Sequence, residues 1–311
     1  MQSNQVQVIV PKDANVTPSP VLSNDWQRRC CSALRILAGF EIALILTTWP
    51  LWWRNGAFPV ISLIDGFALP LIADRAVVCI FLVSCLYITC VPASWQSERT
   101  VRLVAIVAAL ILSIDSQQRL QAWHWLFVLG LGASFFKPEN SLHLFRSILA
   151  SVYVCSALSR MAPIAYHGMS AAIVDQLLRM TGIRMEMSDG RMAEVLCQIL
   201  NVGELIVGLL LIWPKSRRYG ILSAMALHVT LLLALGPLGL RHHNGVLLWN
   251  LCFLCLIPVV FSGPVADSHT SRTSRCRNSQ AATILIWVFP LSGLVGFADN
   301  WPAWQLYSTR P

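Results

Sequence analysis

The stretch Ala193–Trp213, AEVLCQILNVGELIVGLLLIW, holds two carboxylates and two amides in a run that is otherwise apolar. On a helix Glu194, Gln198, Asn201, Glu204 and Gly208 share one arc at i, i+4 and i+7 spacing, while Leu196, Leu200, Ile206 and Leu210 lie mostly elsewhere. A run of this length crosses a bilayer. A charge near the middle of a membrane helix costs on the order of 3 kcal/mol, so such groups face a bundle interior or a wet cavity. The polar arc is therefore expected to line an intramembrane cavity. His228 falls at mid-depth in the next apolar run, level with Glu204, and the short turn Pro214–Arg218 makes the two runs neighbours. A Glu204–His228 contact is within reach, and these two are the candidate catalytic residues, as proton carriers. Packing roles for the same groups stay open.

Arg160 ends another apolar run, and depth along antiparallel helices makes Glu194 its expected partner. A guanidinium keeps its charge and only donates hydrogen bonds, so Arg160 would orient an anionic or carbonyl oxygen, with Gln198 and Asn201 supplying further bonds. Arg119, Trp123, His243 and Asn250 are placed at the same level and complete the expected ligand-binding set. The acids and His228 lack Glu-x-x-His spacing, so no metal site is expected.

The elements that hold these residues follow from composition. A chain with 56% hydrophobic and 12% charged residues is outside the range of a soluble globular domain, and its mean hydropathy is +0.61. Apolar runs at 33–53, 76–92, 101–116, 121–136, 143–163, 193–213, 219–238, 246–262 and 281–297 predict an all-α, polytopic transmembrane helical bundle of about nine spans. The third and fourth, joined by SQQRLQAWHW, could form one hairpin with its polar tip inside the bundle; the tip could equally anchor at the interface or line an entrance. Residues 1–26 read as a disordered polar tail, 27–298 as the membrane domain and 299–311 as a short outer tail.

The basic turn Lys215–Arg218 is assigned to the cytoplasm, which puts the amino terminus inside and suggests a plasma membrane location, a bacterial inner membrane in particular. The net charge of +8 is spread over many loops, so it reads as topology and nucleic acid is not an expected partner. The ten cysteines lie in spans or on the inner side, so no disulfide framework is expected, and Cys252-x-x-Cys255 reads as packing. The Asn15 sequon falls on the inner tail and should be silent. Glu41 sits near mid-bilayer in the first span, and residues 54–75 suggest a re-entrant or interfacial segment. SAAIVDQLLRM (170–180) should lie flat on the outer surface.

Four stretches, SQQRLQAWHW (116–125), SVYVCSALSRMAP (151–163), GELIVGLLLIWPKSRR (203–218) and ALHVTLLLALGPLGL (226–240) followed by Trp249–Asn250, together resemble the HTTM membrane domain. That domain is related to vitamin K-dependent gamma-carboxylase and to bacterial DoxX-like and MauE-like proteins, and the likeness covers about residues 30–262. In the carboxylase the segment similar to Tyr153–Arg160 ends in a lysine implicated as the base acting on reduced vitamin K. Arg160 departs from it, and a guanidinium does not serve as that base. The carboxylase's large luminal domain has no counterpart in residues 299–311, so peptide carboxylation is not expected.

What the resemblance implies is an outward-facing pocket for a lipophilic quinone or lipid head group; the cofactor itself stays unassigned. Three function classes remain open. One is a quinone- or lipid-linked membrane enzyme or its quinone-handling subunit. Another is a non-catalytic membrane subunit or assembly factor for an exported redox protein. The last is a small-molecule transporter, for which no inverted repeat or pair of interrupted helices is seen.

Overall fold

The computed structural model describes residues 20–54, 60–91, 98–161, 169–182, 190–263, 277–294 and 304. The leader up to residue 19 with its Asn15 sequon, and the tail 299–311 apart from Trp304, lie outside the described residues.

Every regular element among the described residues is helical. The order is α1 (Pro20–Thr47), α2 (Trp49–Trp52), α3 (Leu71–Cys90), α4 (Arg99–Asp115), a 3-10 turn at Gln117–Arg119, α5 (Ala122–Ala133), α6 (Pro138–Arg160), α7 (Met169–Met180), α8 (Gly190–Ile212), α9 (Arg217–Leu235), α10 (Asn244–Phe261) and α11 (Arg277–Gly293). Six of them, α1, α3, α6, α8, α9 and α10, are long and apolar enough to cross a membrane. The expected runs at 101–116, 121–136 and 281–297 form shorter described helices. α4 and α11 have 17 residues each, about 25 Å, and α5 has 12, about 18 Å, against a hydrocarbon core of about 30 Å.

Prolines mark several boundaries. Pro138 opens α6, where its missing N–H removes nothing a helix start would use, and Pro70 directly precedes α3. The α8–α9 turn is closed by the Ser216 hydroxyl donating to Leu210 O at 3.1 Å. Gly220 allows this turn, because a Cβ there would come within 2.8 Å of the α8 backbone at Leu210 and Leu211.

α6 is the central post. In its most apolar window 83% of residues are buried, against 28% in α8 and in α9, so α6 is wrapped by protein while α8 and α9 turn most of their surface outward. α6 packs on α8, α1, α5, α10 and α11, and α1 joins α3 and α5 to α10. The outward faces carry Ile80, Val83 and Leu86 on α3, Ile199, Ile206 and Leu209 on α8, and Leu222, Val229 and Leu233 on α9. Such belts are the surface that lipid tails cover. α7 lies across α8 and α9, with Ile173 packed on Ala234 and Leu235.

The polar link between α4 and α5 is inside the bundle: Asp115, Arg119 and His124 are fully buried. The segment after residue 60 crosses over it through Leu63 N–H to Ile114 O at 2.9 Å and Gln117 N–H to Ile61 O at 2.8 Å. Its Val60, Ile61, Leu63, Ile64 and Phe67 stay exposed, as an interfacial strip would leave them.

Candidate functional site

α6 and α8 approach closely at Gly208, where a Cβ would fall 2.9 Å from Val154 Cγ2 and 3.0 Å from Tyr153 Cβ. That contact sets the α8 arc against α6. Asn201 Nδ2 donates to Arg160 O at 3.0 Å, and Gln198 Nε2 reaches Met161 O at 3.4 Å. Arg160 is tied down through Nε to Ser156 O at 3.1 Å and Nη2 to Ser156 Oγ at 3.0 Å. Its ion pair is with Glu204, and the two side chains keep 11% and 14% of their surface accessible.

The expected Arg160–Glu194 pair is thus replaced by Arg160–Glu204. Ten residues of helix separate the two acids, about 15 Å of rise. α8 therefore begins well beyond the level at which α6 stops. Glu194 is exposed instead. With Val195, Gln198, Ile199, Val202, Gly203 and Ile206 it lines an open, shallow groove on the outward face of α8, with no second helix among the described residues as an opposing wall. Polar groups stand at the Glu194–Gln198 end, and apolar side chains continue to Ile206. Nearby, Asn201 Oδ1 is buried with no donor among the described residues, an acceptor that native interiors normally satisfy.

His228 does not bond to Glu204. Its Nδ1 lies 2.8 Å from Asn250 Oδ1 and its Nε2 lies 2.6 Å from the Tyr153 hydroxyl. Asn250 Nδ2 donates to Val246 O at 2.8 Å, which aims Oδ1 at the imidazole. Nδ1 then carries the proton, and Nε2 accepts from Tyr153. Phe253 closes the site, with its ring 5.0 Å from His228 and 5.7 Å from Tyr153. Tyr153 is buried on α6 and ties His228 to the central helix. Its signal in the sequence is the seven-residue spacing to Arg160 on one helix face.

Arg119 belongs to a different cluster. It donates to Asp74 at 2.6 Å, to Asp115 at 3.2 Å, and to the carbonyls of Leu51 and Trp52 at 3.1 and 3.0 Å. Arg54 pairs with Asp115 and lies 3.6 Å from Asp74. The two acids and two guanidinium groups balance one another. One layer deeper, His124 Nδ1 is 2.5 Å from Glu41 Oε1, and both side chains are fully enclosed. Trp123 is partly buried, its ring 5.7 Å from Trp52 and 6.2 Å from His124. His243 is exposed at the start of α10, where its side chain accepts from Gly245 N–H at 3.1 Å.

Of the sequence-derived site residues, Arg160, Gln198, Asn201 and Glu204 come together along α6 and α8, with Glu194 at the far end of the groove. His228 and Asn250 join through Tyr153, whereas Arg119 and Trp123 sit in the α3–α5 region and His243 caps a helix. Among the described residues no three of His, Cys, Asp and Glu gather as a metal site. No family model, no curated protein and no solved structure matches this chain.

Proposed function

We propose that this chain is a multi-pass plasma-membrane protein, of a bacterial inner membrane, that holds a lipophilic quinone-like or lipid ligand in the groove along α8. The topology has nine embedded segments and a cytoplasmic amino terminus, a reading supported by the basic α8–α9 turn. The observation that carries the ligand reading is the Arg160–Glu204 ion pair, set among apolar helices yet with 11% and 14% of its side-chain surface accessible. Gln198 joins the two sides of α8, lining the outer groove while its amide reaches the residue after Arg160 at 3.4 Å.

In this reading a head group carrying a carbonyl or anionic oxygen meets Gln198 and Arg160 at the end of α6, while a hydrocarbon tail runs past Val202 and Ile206 on the largely apolar outer face of α8. Glu204 and His228 are the candidate proton carriers in this reading, with the Tyr153 hydroxyl bonded to His228. The HTTM-like motifs favour the same ligand class.

A second reading, a non-catalytic subunit or assembly factor for an exported partner, is favoured by the packing use of Asn201 and Gly208 between α6 and α8. Mass spectrometry of small molecules retained by the protein in nanodiscs separates the two. A stoichiometric quinone or lipid that is lost in Arg160→Ala and in Glu194→Ala supports the ligand site. A wild-type protein that is equally stable and empty supports the subunit.

A further inference from the structure

Residues 60–70, VISLIDGFALP, form neither helix nor strand, yet their backbone is fastened at two places. Leu63 N–H donates to Ile114 O at 2.9 Å, and Ile61 O accepts from Gln117 N–H at 2.8 Å. Further along, Leu69 N–H donates to Asp115 Oδ1 at 2.7 Å, while Arg54 Nη1 donates to Leu69 O at 2.9 Å. Asp115 and Arg54 are members of the charge cluster around Arg119, so the strip is bolted to the end of the bundle. Between the two fastenings Phe67 N–H returns to Ile64 O at 3.0 Å, across a turn that Gly66 permits with its φ of 78°. Held in this way, the strip leaves Val60, Ile61, Leu63, Ile64 and Phe67 exposed. Asp65 carries its one charge.

An apolar patch of this kind marks a surface that something covers, and the adjoining helix indicates what. The strip runs directly into α3, where Leu71 is exposed and Ile72 is 83% exposed. Ile72, Ile80, Val83 and Leu86 share one side of that helix, so the apolar surface of the strip continues along the outer face of a helix apolar enough to cross a membrane. The two charges at the start of α3 do not interrupt it. Asp74 is buried against Arg119. Arg75 folds back, donating to Arg54 O at 3.1 Å with its guanidinium 4.9 Å from the Trp53 ring. Trp49 stacks on Trp53 at 5.3 Å, and aromatic rings at the end of an apolar helix belong to the head-group level of a bilayer.

We propose that residues 60–70 are a lipid-binding wedge, seated in the head-group and upper acyl-chain layer of the leaflet at this end of the bundle, and that Asp115 and Arg54 fix its depth through the Leu69 backbone. The proposal rests on the apolar helices crossing a membrane and is independent of the α8 groove. Asp115 and Arg54 are positioning residues here: they touch the backbone of the strip, and its apolar side chains meet the lipid.

The test uses the full chain in phosphatidylcholine nanodiscs doped with a photoreactive phosphatidylcholine, its diazirine placed either near the glycerol or at the chain end, and maps the adducts by peptide mass spectrometry. Hydroxyl-radical footprinting of the same sample supplies the probe from water. The strip should take adducts mainly from the shallow diazirine and little oxidation, whereas Val83 and Leu86, which begin about 18 Å further along α3, should react mainly with the deep one. Ile64→Asp combined with Phe67→Asp should cut the lipid adducts of the strip about tenfold and open it to radicals, with Val83 and Leu86 labelled as before to show that the chain is folded and inserted. Leu69→Pro removes the N–H that Asp115 holds and leaves every charge in place; the strip should then lose its preference for the shallow probe. A strip that is oxidised and free of lipid adducts while α3 is labelled overturns the proposal. So does a strip shielded from both probes, because a second copy or another protein then covers it. An unchanged preference in Leu69→Pro overturns the role of Asp115. Absence of lipid adducts on α3 overturns the membrane crossing as well, whereas loss of a groove ligand with the strip still labelled leaves this surface standing.

Discussion

Tyr153 and His228 share a hydrogen bond of 2.6 Å that joins the central helix α6 to α9. Asn250 on α10 holds the other side of the same imidazole at 2.8 Å, so one ring links three helices. Tyr153→Phe keeps the aromatic packing and removes only the hydroxyl. The orphaned Nε2 should cost about 1–3 kcal/mol, seen as earlier unfolding in a denaturant titration. Combined with Asn250→Ala, the losses should fall short of additivity by about 0.5–3 kcal/mol, because both act on one network. Full additivity would mean that the ring is not shared.

Gly208 and Gly203 offer a contrast within one helix. A Cβ at Gly208 meets Val154 and Tyr153, whereas nothing lies within 4 Å of one at Gly203. Gly208→Ala should lower stability by about 1–3 kcal/mol, while Gly203→Ala should be neutral or slightly stabilising. Gly203→Leu should leave the melting temperature near that of the wild type and expel whatever occupies the groove. Retained ligand in a well-folded Gly203→Leu protein would move the binding site elsewhere.

The four-charge cluster around Arg119 behaves as a unit. Arg119→Met strands Asp74 and Asp115 in the interior and should cost about 3–5 kcal/mol. Adding Asp115→Asn restores neutrality with Arg54 and Asp74 and should recover a large part of that loss. Chemical denaturation of both variants in the same detergent checks the order.

Glu204→Gln distinguishes ligand binding from packing. If Glu204 serves the bound head group, the variant should lose small-molecule retention with little change in thermal unfolding. If the pair with Arg160 only fastens α6 to α8, the midpoint should fall while retention stays as it was.

Much of the architecture could be read from hydropathy alone. Six of the apolar runs are helices long enough to cross a membrane, and the polar arc of α8 was visible from spacing because one helical period defines a face. Pairing was less legible. Matching Arg160 to Glu194 assumed that α6 and α8 end at one level, but α8 overshoots, so the acid beside Arg160 is Glu204. His228 sat level with Glu204 in the sequence, but rotation about the α9 axis, which a single sequence does not fix, turns it toward Tyr153. Glu41 and His124 each stood out as polar residues in apolar surroundings. Their contact joins α1 and α5 across 83 positions, and no local pattern reports a contact of that range.

The burial of α6 bears on biogenesis. Its Ser147, Ser151, Ser156, Ser159 and Arg160 are buried in the finished fold, and the partners of Arg160 and Tyr153 on α8 and α9 emerge from the ribosome only afterwards. During synthesis α6 must wait in lipid, or beside an insertase, with the Arg160 charge unpaired and the Tyr153 hydroxyl without His228, while Ser151 and Ser159 bond within the helix. A chain truncated before α8 should therefore be cleared by quality-control proteases, whereas co-expressing the missing carboxyl-terminal half should rescue it.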